Sequence, residues 1–244
     1  MPCFLVQTSS VAPTVDQLKR AFKLLKALTE ADAVKLANEA CGILMKNLLP
    51  ADAAVLQRAL ETEGVPTEVV DAARLPALPV AKFVRRAEFQ PQALVISDPL
   101  GRPVPVPWPH VALLAAGAVR HFGVNVTRTE HTVKTIRGTK VVTDVRHNVE
   151  DSAKLVLDIF LIGGAIRFQI EAEGFQFRYC FDRPDLNLPQ KLGLLIQMLA
   201  GHTPSAILNR GATALRDGSP GAAAYVSKAA LFDESTWLLW RMTR

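Results

Sequence analysis

The chain has 244 residues, of which 49% are hydrophobic and 21% charged, with 14 Gly and 16 Pro. This composition excludes disordered, collagen-like and low-complexity classes, and the length is enough to bury roughly 72% of the unfolded chain's surface in a hydrophobic core. The formal net charge is +5, a mild excess with thirteen Lys or Arg against nine Asp or Glu over residues 79–181. An anionic partner is therefore a hypothesis to locate rather than a property of the whole surface.

No apolar stretch has the length of a bilayer span. The first residues, Met1 to Gln7, lack the basic and long apolar regions of an export signal, so a cytoplasmic location is expected. Cys3, Cys41 and Cys180 are widely spaced and odd in number, unlike a disulfide framework or a metal-binding pair. They read as small hydrophobes in a reducing compartment.

In chain order, Cys3 to Gln7 reads as a strand. Thr14 with Gln17 forms a capping box ahead of the helically spaced Val15, Leu18, Phe22, Leu25 and Leu28. Thr29 and Asp32 give a second start signal, where the helix is expected to break or kink. Gly42 to Leu48 is a short apolar segment. Pro50 and Gly64 then bracket a further helix, and Val65 to Asp71 is the third strand. Strand, helix, strand, helix, strand makes a small α/β unit over residues 1–74, with right-handed crossovers.

The stretch from Gly42 through Pro50 and Gly64 to Val69-Val70 resembles the ferredoxin-like regulatory modules of bacteria, in which a strand leads to a helix ending in Gly and then a second strand. That resemblance implies binding or interaction rather than chemistry.

Leu75-Pro-Ala-Leu-Pro79 reads as an extended connector and marks a boundary. Beyond it the period becomes two. Phe83 to Phe89 and Ala93 to Ser97 read as strands, and Asp98-Pro-Leu-Gly101 as a type I turn. Val104 and Val106 alternate with prolines, which makes that strand an edge or a corner. His110 to Val119 fits either strand or helix. Thr132 to Ile136 and Thr139 to Arg146 form a hairpin about Arg137-Gly138, and Leu155 to Ile162, Ala165 to Ala172 and Phe175 to Phe181 form a meander. Asn187 with Gln190 opens a helix whose Leu188, Leu192, Leu195, Ile196 and Leu199 are expected to cover the sheet.

Several antiparallel strands closed by one amphipathic helix, over residues 80–201, are similar to the pleckstrin-homology-like β-barrel. This chain departs from the lipid-binding members of that superfold in its first hairpin loop, Glu88-Phe-Gln-Pro-Gln92, which is not basic. The expected fold class is thus α+β, a small ferredoxin-like unit followed by a mainly antiparallel domain, with residues 202–244 as an appended tail. In that tail Thr203-Pro204 marks a helix to about Leu215, and Trp237, Trp240, Arg241 and Arg244 fall at helical spacing as core-docking anchors or, alternatively, a partner-facing patch.

The chemistry is sparse. His110, His121, His131 and His147 share one region, but their spacings fit neither a helix-face pair nor a structural zinc site, and no metal or cofactor is expected. Gly218-Ser-Pro-Gly221 is no nucleophile turn, and Arg137-Gly-Thr-Lys140 reverses the order of a phosphate loop. Glu171 and Glu173 read as solvated carboxylates. Three readings follow. The first is a non-enzymatic protein with a protein partner or self-association. The second is an anion-binding module for nucleic acid or acidic lipid, with Lys134, Arg137, Lys140 and Arg146 as phosphate contacts. The third is an enzyme with a site at the domain junction, if His110, His147 and Glu171 converge.

Overall fold

The computed structural model describes residues 2–25, 28–98, 100–135 and 138–244, and over 121–152 it describes the backbone alone. Strand β1 is Cys3–Gln7, followed by helices α1 (Val15–Phe22) and α2 (Glu30–Glu39), strand β2 (Ile43–Leu48), helix α3 (Pro50–Thr62) and strand β3 (Thr67–Asp71). The sequence signals act locally here. Thr14 and Thr29 each form a reciprocal capping box, with Gln17 and Asp32, so the expected kink at Thr29 is a full break between two helices. Pro50 occupies the first turn of α3, and Gly64 beyond its end has φ +75°. Both β2 and β3 run antiparallel to β1, which lies between them. The crossover through α3 therefore joins two parallel strands across a third. Leu5, Leu18, Phe22, Leu56 and Leu60 form the core of this unit.

Strand β4 (Ala81–Phe83) is followed by β5 (Ala87–Phe89), β6 (Ala93–Ser97), β7 (Pro103–Pro107), β8 (Val111–Thr135), β9 (Gly138–Leu161) and β10 (Arg167–Glu171). After these come α4 (Leu188–His202), β11 (Ile207–Leu208), α5 (Arg210–Arg216), β12 (Ala224–Tyr225) and α6 (Lys228–Met242). The large sheet has the order β11-β8-β9-β10-β4, with β12 also on β8, while β5-β6-β7 is a separate antiparallel sheet. Pairing is antiparallel between β8, β9 and β10 and parallel for β4, β11 and β12. The fold is α+β. Among the described residues no sheet closes, so the barrel expected of the second half is an open mixed sheet with a smaller sheet beside it.

Four expected elements differ. Phe83 to Phe89 is not one strand but a corner between sheets. Val84 N–H donates to Gln169 O (2.8 Å) in the large sheet, while Arg86 O accepts from Ser97 N–H (3.1 Å) in the small one. Phe175 to Phe181 is not a strand but carries one 3₁₀ turn, Phe177–Tyr179, just after another at Ala172–Gly174, because β4 already occupies the edge of β10 and N–H groups of the segment turn to local carbonyls such as Ala172 O and Phe177 O. Thr203 caps the end of α4 rather than starting a helix. The next helix begins at Asn209, whose Oδ1 accepts from Ala212 N–H (2.8 Å) and Ala116 N–H (2.9 Å). His110 lies in a 3₁₀ turn, and the apolar run after it is the base of β8.

The large sheet is apolar on both faces. Leu114, Leu157, Ile159, Phe168 and Ile170 pack under α4 and α5 with Leu192, Ile196, Leu199 and Leu215. Leu113, Ala115 and Phe160 face the other way, against Trp237, Leu239 and Trp240 of α6, which also meet Val6, Ile43 and Val70 of the first sheet. Trp237 is the centre of that seam. Its Nε1 donates to Gln7 O (2.7 Å), and a Cβ on Gly42 would stand 2.1 Å from its ring. On the same face Asp158 is fully buried and accepts from Arg167 (2.9 Å) and Gln169 (2.8 Å). Phe232 of α6 covers the Arg167 guanidinium at 4.3 Å.

Candidate functional site

The connector containing Pro76 and Pro79 delivers β4 to the far edge of the large sheet, while the turn at Asp98 brings β7 back alongside β6. Asp98 holds that turn. Its carboxylate accepts from the backbone N–H groups of Leu100 (2.9 Å) and Arg102 (2.8 Å) and from Arg102 Nε (2.7 Å). The Arg102 backbone N–H, helped by its guanidinium and by Leu100, holds the carboxyl below the usual carboxylate range despite the opposing desolvation. Gly101 takes φ +79° to close the turn.

Between β4, the neighbouring end of β10 and strands β6 and β7 lies a groove of about 640 Å³. Its lining is mainly apolar, with Phe83, Val84, Ile96, Val104, Val106 and Phe168, and Lys82, Ser97, Asp98 and His110 are its polar members. Apolar residues are unusually exposed on this part of the surface: Val80 is 91% exposed and Phe83 58%, and Val104 is also open to solvent. Ile162, 65% exposed, follows Leu161 of the lining and donates its N–H to His110 O (2.8 Å). A basic, more polar recess of about 500 Å³ adjoins it, lined by Arg85, Arg86 and Gln176 and sharing Phe83, Ser97 and Asp98.

Ser97, Asp98 and His110 line one groove, yet among the described residues no hydrogen bond joins them, and the Asp98 carboxylate is committed to its turn. The arrangement therefore lacks the linked nucleophile and base of covalent catalysis. A second cavity, about 330 Å³, lies between α2, β2 and the start of α6, with Lys46 bridged to Asp233 (2.6 Å) in its wall. Cys41 also lines it, but burial pushes this thiol from 9.0 up to about 12, which makes it a poor nucleophile at neutral pH.

The residues singled out from sequence are distributed as follows. Lys134 lies on β8 opposite Thr139, and Lys140 and Arg146 lie on β9 opposite Val133 and Thr127. Strand alternation sets Lys134 on the other face of the ribbon from Lys140 and Arg146, which are themselves about 20 Å apart along β9. Arg137 lies outside the described residues, as do the side chains of Lys134, Lys140, Arg146, His121, His131 and His147. Glu171 pairs with Val156, whereas His110 meets Ile162, so these two stand at opposite ends of a segment about 20 Å long. Among the described residues, no three His, Cys, Asp or Glu side chains gather as a metal ion requires. Among these residues, no helix is long and apolar enough to cross a membrane.

Sequence reasoning marked Val104 and Val106 as an edge or corner strand and missed the groove. The available signal was Phe83 on a short strand just after Val80 and near alternating prolines, apolar residues too few in a row to be buried by their own element. Comparison with protein-family models, curated proteins and solved structures finds no match to the chain.

Proposed function

We propose that this is a cytoplasmic, non-enzymatic interaction protein that holds an apolar part of a protein partner in the groove between β4 and β7. The observation that carries this reading is that Phe83 and Val104, both exposed, line one mainly apolar groove, while the exposed Val80 and Ile162 are each one residue along the chain from its lining. Scattered exposed apolar residues are ordinary, but a contiguous patch around a concavity marks a binding surface. Burial holds the thiols of Cys41 and Cys180 protonated at neutral pH, so neither is a ready nucleophile.

The test is titration of the full chain with the dye anilinonaphthalene sulfonate, whose fluorescence rises in apolar sites. The wild-type chain is expected to enhance it, and Phe83→Ser with Val104→Asp to lose most of that enhancement without unfolding. Equal enhancement by wild type and double variant overturns the reading.

A further inference from the structure

We propose that the occupant of this groove is an extended, acid-bearing segment of a partner protein, added to the large sheet as a further strand beside β4; the inference rests on the groove reading above. The backbone of β4 supplies the first reason. It pairs in parallel with β10, Ala81 opposite Arg167 and Phe83 opposite Gln169, and Val84 N–H donates to Gln169 O (2.8 Å). In such a ladder alternate residues turn to opposite sides, so Lys82 and Val84 serve β10 while Ala81 and Phe83 direct N–H and C=O outward. Among the described residues those groups of Ala81 and Phe83 have no partner, whereas the Arg85 carbonyl on the same side accepts from Gln176 N–H (2.8 Å). The edge is open for the residues that border the groove and closed just after them.

The opposite wall is built differently. Pro103, Pro105 and Pro107 have no N–H, and Val104 and Val106 stand opposite Ile96 and Leu94 of β6. The outer side of β7 therefore offers carbonyls without donors and cannot start a full ladder. One wall is blunted against strand addition and the other is left able to accept it. An extended segment bound at β4 places alternate side chains into the apolar groove and the intervening ones outward, which is the geometry of recognition by strand addition.

Charge identifies the segment further. Lys82 and Arg85 flank Phe83 and are exposed, and among the described residues neither has an ion-pair partner. The groove's own carboxylate, Asp98, is already met by Arg102. The uncompensated charge at this rim is positive, so acidic residues alternating with apolar ones complement it.

The probe is a fluorescein-labelled eight-residue peptide alternating Val with Glu or Asp, followed by fluorescence anisotropy on the full chain. Binding is expected. Backbone N-methylation at one alternate set of positions should weaken it by about tenfold or more, and methylation at the intervening set should leave it nearly unchanged. Replacing the acids by Lys should weaken binding to the wild-type chain, and Lys82→Glu with Arg85→Glu should reverse that preference. If the dye reports the groove but the peptide does not bind, or N-methylation shows no alternation, strand addition is overturned while the groove reading stands. If neither dye nor peptide binds, both fall.

Discussion

The face of the large sheet bearing Leu113, Ala115 and Phe160 is covered by α6, while the groove between β4 and β7 carries a comparable apolar lining and is left to solvent. The difference lies in what the chain can bring to each surface. Helix α6 is fifteen residues long and presents Trp237 and Trp240 to the sheet, with the Trp237 indole N–H bonded to Gln7 O. At the groove the chain supplies only short pieces, β4 of three residues and a β7 that alternates valine with proline. A large aromatic helix face closes a seam, and a short strand next to a blunted one leaves a cleft. Apolar surface in this molecule is buried where a long element can reach it and left open to solvent where none does.

The largest expected effect breaks the closed side. Trp237→Ala removes a buried indole and its hydrogen bond and is expected to cost about 3–5 kcal/mol, read from chemical denaturation. A cost near zero would mean that α6 does not hold the first sheet to the second.

An intermediate effect is expected from alkali. Burial raises Cys41 and Cys180 from 9.0 to about 12, so the folded state favours the neutral thiols. The stability this confers is complete below pH 9 and is lost as pH rises toward 12. At pH 8 both thiols should react with iodoacetamide on the order of a thousandfold more slowly than in the unfolded chain, because only the thiolate attacks. Equal rates in native and denatured protein would show that neither thiol is shielded.

The smallest effect sharpens the open side. Phe83→Ser alone is expected to change stability by no more than about 0.5 kcal/mol, since surface positions contribute little to folding, while still reducing dye binding. A destabilisation approaching that of Trp237→Ala would make Phe83 a core residue and the groove a packing defect.

Much of the first unit, and the start of α4 in the second, was readable along the chain. Thr14 with Gln17, Thr29 with Asp32, and Asn187 with Gln190 set helix starts through contacts three residues apart, and all three form as capping boxes. The leucine face of α4 is buried as its spacing required. The candidate site was less readable, because it depends on which strand lies beside which. Phe83 to Phe89 alternates like one strand, yet it turns a corner once its first residues pair with β10, more than eighty positions away. That same pairing denies Phe175 to Phe181 a sheet edge, and the segment forms a 3₁₀ turn at Phe177–Tyr179 despite a pattern suited to a strand.

The amino-acid sequence by itself determined the capping boxes at Thr14, Thr29 and Asn187 and the proline-blunted strand, because each is fixed by neighbours within a few residues. Tertiary structure alone decided that Trp237 meets Gly42, that β4 joins β10 in parallel, and that Phe83 and Val104 line one open groove. Period-two alternation says that a strand has two faces. It does not say which partner covers each face, and that choice depends on loop closure and burial summed over the whole chain.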